Sequence, residues 1–312
     1  MKSRFASLVL LSMLAACGSQ CSQPGGGGEA SGPSPSAVAP TLAGAEDLMK
    51  KGELDRAVEM LQALTAAPNA EPQAFRRLAE VYAARNDLSK AVKVLREGLE
   101  RPAKAPELGL YLARIYLRLE QFKEARATLE RARADGAADK DVCMLLGSCL
   151  GHMNDFEGAE REFQRALDSG YDPKVVKYNL ALILNQRGDY VRGKELLEAA
   201  LAIDPKWADA RRELAHVMLL SQRDLASVNQ ALDMLVDVRD QLKDDWHVFE
   251  YIGDAWLLLG DYEASVAAYT DALRLGRNPK SVEEKFVVAK RKLDDAKKAA
   301  TADTSAKSTP QK

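Results

Sequence analysis

The side chains able to do covalent or metal chemistry are few, and their spacing limits what each could do. There are four cysteines, Cys17, Cys21, Cys143 and Cys149, and three histidines, His152, His216 and His247. Cys143 and Cys149 stand six residues apart in a helix-forming stretch, roughly 9 Å along its axis at ~1.5 Å per residue. That is too far for a disulfide, and both read as small core residues. The histidines show no HxxxH or similar ligand spacing, so no metal site is expected. The glycine run Gly25–Gly28 has no Gly-Lys-Ser or Gly-Lys-Thr after it and no strand pattern before it, which excludes a phosphate loop. Carboxylates alternate with Lys and Arg as on solvated helix faces. A net charge of −2 gives no reason to expect nucleic acid. These patterns point to no catalytic residue, no metal, no cofactor and no small-molecule substrate. Cys21 stands alone, either inert or paired with another copy in an oxidising compartment.

Cys17 alone sits where its thiol has a use. Lys2 and Arg4 precede an apolar run from Phe5 to Ala16, short for a bilayer span but right for a signal-peptide core. The run ends Leu14-Ala15-Ala16-Cys17, which resembles the lipobox of bacterial lipoproteins. The resemblance implies cleavage after residue 16, a diacylglyceryl thioether on Cys17 and acylation of the new amine. Several acyl chains hold a protein stably, where one holds it reversibly. The alternative is an ordinary secretory signal cut after the same small residues. Gly18 follows, not Asp, which in the family's enterobacterial sorting rule favours the outer membrane, with the chain facing the periplasm. Residues 17–37 are rich in Gly, Ser and Pro, a flexible tether with a span on the order of 25 Å.

What lies beyond the tether is repetition. A period of 34 residues places Ala45, Ala79, Ala113, Gly147, Ala181, Ala215 and Gly253 in one column, position 8 of each unit. Position 20 holds Ala57, Ala91, Ala125, Ala159, Gly193, Ala231 and Ser265, all small. Position 24 holds Leu61, Leu95, Leu129, Phe163, Leu197, Leu235 and Tyr269, all large. Small residues at 8 and 20 let two helices approach, and the large side chain at 24 fills the space beside them. Position 15 is often Gly or Asn (Gly52, Asn86, Asn154, Gly188, Gly260), suited to a left-handed helix end. Position 16 is often Asp (Asp87, Asp155, Asp189, Asp261), suited to start the next helix. Each unit is therefore an antiparallel helix pair with a tight turn.

These columns, the aromatic at position 11 (Tyr82, Tyr116, Trp256) and Asp204-Pro205 resemble the tetratricopeptide repeat family. The resemblance implies an all-α, right-handed solenoid of about seven helix-turn-helix repeats over 38–279 (38–71, 72–105, 106–139, 140–173, 174–207, 208–245 and 246–279). A capping helix is expected over 280–300 and an unstructured tail over 301–312. Unit 208–245 is four residues too long for the 34-residue register, and Ser227–Gln230 reads as the capping box that restores it. Tyr82, Tyr116, Trp256 and Tyr269 fall on core positions, not on a base-stacking surface.

In this family the concave face is lined by the first helix of each unit, commonly at positions 2, 5, 9 and 12. Carried onto this chain, the partner-binding groove is expected to include Arg76, Leu110, Arg114, Met144, Ser148, Tyr178, Leu182, Arg212 and His216, with Glu250 and Asp254 turning the last unit acidic. The Lys and Asn pattern of the chaperone-binding carboxylate clamp is missing. An apolar middle with Arg at its edges suits an extended or helical segment with apolar anchors and acidic residues. The implied function is a non-enzymatic protein–protein scaffold, lipid-anchored in the bacterial envelope. It would assist assembly or localisation of envelope complexes, such as a type IV pilus secretin. An adaptor for peptidoglycan hydrolases is the alternative, and an accessory subunit of an enzyme complex a further one. Palmitate labelling should be lost in Cys17→Ser, and that variant should stay uncut or leave the membrane fraction. Normal labelling and membrane retention would overturn the lipoprotein expectation.

Overall fold

A computed structural model of the chain describes residues 40–221, 224–276 and 279–307; the signal segment, Cys17, Cys21 and the tether lie outside the described residues. The described residues form α-helices and contain no strand. They divide into two compact units, one ending at Asp172 and the other beginning at Pro173. The first unit holds α1 (Leu42–Lys50), α2 (Leu54–Ala66), α3 (Pro72–Ala84), α4 (Leu88–Leu99), α5 (Pro106–Arg118), α6 (Phe122–Ala134), α7 (Asp139–His152) and α8 (Phe156–Asp168). The second holds α9 (Pro173–Arg187), α10 (Tyr190–Ile203), α11 (Ala208–Ser221), α12 (Leu225–Arg239), α13 (Trp246–Leu259), α14 (Tyr262–Leu275) and α15 (Lys280–Lys307).

Each odd-numbered helix pairs with the one after it, and within a unit it also touches the next odd-numbered helix (α1 with α3, α3 with α5, α5 with α7; α9 with α11, α11 with α13). The first helices of the repeats thus form one layer in each unit. The small-residue columns are the seams: Ala45, Ala57, Ala79, Ala91, Ala113, Ala125, Ala159, Ala181, Ala215 and Ala231 are all fully buried. Where the large partner at position 24 is aromatic, position 8 has lost even its methyl group. A Cβ on Gly147 would lie 2.8 Å from the Phe163 ring, and one on Gly253 2.5 Å from Tyr269. The other units combine Ala with Leu at the same two positions.

The turns follow the sequence reading with two additions. Asn86, Asn154 and the position-15 glycines adopt positive φ, and so does Glu120 at φ 57°, which takes the left-handed turn without the usual residue type. Asp87, Asp155, Asp189 and Asp261 each accept a hydrogen bond from the backbone N–H three residues on, at 2.9–3.3 Å. In the long unit the cap is Asp224, which accepts from Ser227 N–H at 2.9 Å. The expected capping box at Ser227 therefore lies inside α12: the carboxylate three residues upstream reaches the same amide first. The last helix also runs past its expected end at residue 300 to Lys307. No Gly or Pro interrupts that Ala- and Lys-rich segment before Pro310. Its Val282 and Ala289 are buried at the end of the stack, against the cluster containing Tyr269 and Ala272.

Gly147→Ala should destabilise the chain by about 1–3 kcal/mol through overpacking against Phe163. In a Phe163→Leu background the same change should cost far less, because that pair exists in other units. Denaturant melts of the four proteins give the coupling; equal costs in both backgrounds would contradict the packing assignment.

Candidate functional site

The layer of first helices is the surface on which the sequence placed its candidate residues, and the two units treat it differently. In the second unit it is closed by its own side chains. Tyr178 on α9 is 0% exposed, packed at 4.6 Å between ring centroids against Trp207, and its hydroxyl has no partner. Burial drives that phenol well above its usual pKa, with the nearby Arg212 charge opposing. Leu182 is buried as well. These two residues are core, not an open apolar step, because α11 and Trp207 cover them.

Arg212 on α11 is a hub and not a groove rim. It is 2% exposed and bonds Asp209 at 3.2 Å, Glu213 at 3.0 Å and Asp245. Its guanidinium resists the effect of burial because three carboxylates hold its charge. Asp245, just before α13, also accepts from the backbone N–H of His247 at 3.1 Å and meets its Nδ1 at 2.7 Å. Burial would raise the Asp245 pKa, but the His247 hydrogen bond and the Arg212 charge prevail and lower it to about 2. Glu213 goes the other way: its complete burial raises it despite Arg212.

The remaining inner positions of that unit are filled in the same manner. His216 stacks on Tyr251 with centroids 3.9 Å apart. Glu250 and Asp254 on α13 both receive Lys285 from α15, at 2.8 Å for Glu250, and the Tyr269 hydroxyl donates to Asp254 at 2.6 Å. The acidic end expected from the sequence is bridged by one lysine of the capping helix. Asp209, Asp245 and Lys285 were not singled out in the sequence. Asp209 lies one helical turn from Arg212 and was legible in principle; the other two come from distant segments.

The first unit keeps part of its inner face open. Met144 and Ser148 on α7 are buried, the Ser148 hydroxyl donating to the Met144 carbonyl at 3.2 Å. They too are packing residues, because α5 and α7 are in contact. Arg76 on α3 is half-buried and bonds Glu80 at 3.0 Å, while its neighbour Arg77 bonds Glu46 and Glu80 at 2.8 Å each. Leu110 and Arg114 on α5 are half-buried. Arg114 makes no hydrogen bond or ion pair among the described residues, and its Nε is buried without a partner. Of the arginines expected in the groove, this is the one not already spent.

The thiols of this unit and its His152–Phe122 stack are structural. Cys143 Sγ accepts from Arg133 at 3.2 Å and Cys149 donates to the Phe122 carbonyl at 3.0 Å; burial pushes the two thiols up to about 12 and about 11. A thiol so raised is a poor nucleophile at neutral pH. His152 stacks on Phe122. Among the described residues no group of His, Cys, Asp and Glu is disposed to hold a metal ion, and no helix is long and apolar enough to cross a membrane.

Comparison with known proteins fits this architecture. Family models described as tetratricopeptide repeat match residues 42–106 and 150–208, and a second such model matches 106–131. A tetratricopeptide repeat protein from Parabacteroides merdae is similar in structure at a TM-score of 0.67 and 15% identity, over 80% of this chain and 96% of that one. PilW, described as a widely conserved type IV pilus biogenesis factor, is similar at a TM-score of 0.58 and 18% identity, over 68% of this chain and 97% of its own. Pseudomonas aeruginosa pilF is similar at 0.54 and 20% identity, over 68% and 95%. No curated protein matches the sequence significantly. At these identities the neighbours establish the fold.

The lowered Asp245 pKa makes a signed prediction. A carboxyl with a folded pKa of about 2 and an unfolded value near 3.9 contributes stability that is present above pH ~4 and lost as pH falls toward ~2. The contribution is roughly 2–3 kcal/mol. Urea titrations should show wild type more stable than Asp245→Asn at pH 6, with the gap shrinking by about that amount near pH 2. A gap independent of pH would refute the assignment.

Proposed function

We propose that this tetratricopeptide-repeat chain is a non-enzymatic scaffold of the bacterial envelope, held at the outer membrane by lipid on Cys17 and docking a partner protein on its repeats. The observation that carries the reading is the repeat stack itself. Its helix pairs spend their cores on one another, and the layer of first helices in the first unit still presents Arg76, Leu110 and Arg114 at half-buried positions. Such a surface suits a polypeptide segment better than a small substrate. The lipobox-like Leu14-Ala15-Ala16-Cys17 supports the envelope setting. So does the fold shared with a type IV pilus biogenesis factor over 68% of the chain. Assistance to a pilus secretin is the specific role we favour.

Tyr178, Leu182 and Arg212 of the second unit are buried, and so are Met144 and Ser148 of the first, whereas Leu110 and Arg114 are not; on that ground we assign the partner to the first unit. The test is crosslinking in the native envelope followed by identification of what is recovered with wild type and with Leu110→Asp, each checked for folding by circular dichroism. Recovery of a secretin or other pilus component with wild type, and its loss in folded Leu110→Asp, is expected. Recovery of cell-wall hydrolases would favour the adaptor role instead. Equal recovery by both proteins would move the docking site off this face.

A further inference from the structure

Resting on the docking role of the first unit, we propose that Arg114 and Arg118 form an anion subsite that takes a carboxylate side chain from an acidic polypeptide segment. Leu110, Arg114 and Arg118 follow one another at four-residue steps on α5, which places them along a single helix face. Neither arginine makes an ion pair or hydrogen bond among the described residues, and the Arg114 Nε is buried with no acceptor. The contrast with neighbouring cations is what marks the site. Arg76 is held by Glu80, and Arg77 by Glu46 and Glu80. Arg133 is held by Asp139 and Glu162. A buried N–H left without an acceptor is costly, and an incoming carboxylate supplies one.

Two phenols lie close enough to feel the Arg114 charge. The Tyr111 hydroxyl, from α5 itself, is pushed up to about 12, chiefly by burial and next by Glu80, with Arg118, Arg76 and Arg114 acting against that rise. The Tyr171 hydroxyl, just after α8, is raised chiefly by burial, with Arg114 opposing and Asp141 and Asp172 assisting. A phenol is protonated at neutral pH with or without that rise, and these two are available to donate to the same anion. The nearby carboxylates do not fill the site: Glu80 is committed to Arg76 and Arg77, and Asp141 is not paired with Arg114. A planar carboxylate matches the guanidinium fork in a bidentate pair. Leu110 beside it favours an acidic residue next to an apolar one over a bare phosphate.

The test uses the full chain labelled with ¹⁵N-arginine and a synthetic peptide of alternating Leu and Glu. The Leu–Gln counterpart and inorganic phosphate serve as controls. The Arg114 Nε–H signal should shift saturably with the Leu–Glu peptide and not with Leu–Gln. Phosphate should act far more weakly, and the response should fade as salt rises. Arg114→Gln should weaken peptide binding roughly tenfold or more, and Arg118→Gln should weaken it less. An unmoved Arg114 signal would overturn the subsite. So would an equal response to phosphate, or undiminished binding by Arg114→Gln. Should Arg114→Gln misfold, the wild-type Arg114 signal and Arg118→Gln decide the matter. Envelope capture separates the two readings. A partner lost in Leu110→Asp but kept in Arg114→Gln removes the subsite and leaves the scaffold. Saturable peptide binding without any partner on this face does the reverse.

Discussion

Two helices can lie against each other at short range only where neither carries bulk at the crossing, and everything else in this chain is built on meeting that condition repeatedly. Position 8 of the first helix and position 20 of the second are small in every unit, and position 24 fills the gap that remains. The volumes compensate locally: Leu61, Leu95 and Leu129 face Ala45, Ala79 and Ala113, whereas Phe163 and Tyr269 face Gly147 and Gly253. Close packing makes such compensation necessary, because interiors tolerate neither a missing nor an extra methyl group cheaply. Once the pairs close in this way, the first helices are forced side by side, and their remaining face is what the protein can offer to anything else.

The two units use that face in opposite ways. In the second, five carboxylates (Asp209, Glu213, Asp245, Glu250 and Asp254) gather around Arg212 and Lys285. Burying ions carries a desolvation cost that their attraction only partly offsets, so such a network is poor evidence of extra stability. Its effect is positional: Asp245 reaches Arg212, and Lys285 reaches Glu250 and Asp254, only when α11, α13 and α15 stand in one register, and removing one partner leaves a buried charge at its full cost. In the first unit the same layer is held by Arg76, Arg77 and Glu80 near the surface, and the α5 arginines Arg114 and Arg118 make no ion pair among the described residues.

The helix pairs, their period, the residues at their seams, the Asp caps and the burial of Cys143 and Cys149 can all be read from the amino-acid order alone. Those features are local or recur at a fixed spacing, so one chain read alone displays them several times over. It also marked Cys17 through the apolar run and small residues before it, a signal carried entirely by neighbours in the chain. Which inner-face side chains lack partners depends instead on contacts between repeats. Positions 5 and 9 look alike in the sequence at Arg212 and Arg114, yet one is enclosed by carboxylates and the other is not. Two of the Arg212 carboxylates, Asp209 and Glu213, are neighbours on its own helix, but Asp245 lies 33 residues away, as in the last repeat Lys285 lies 31 residues beyond Asp254. Such partners are set by how one repeat stacks on the next, and a periodic pattern carries no record of which charges that stacking will bring together.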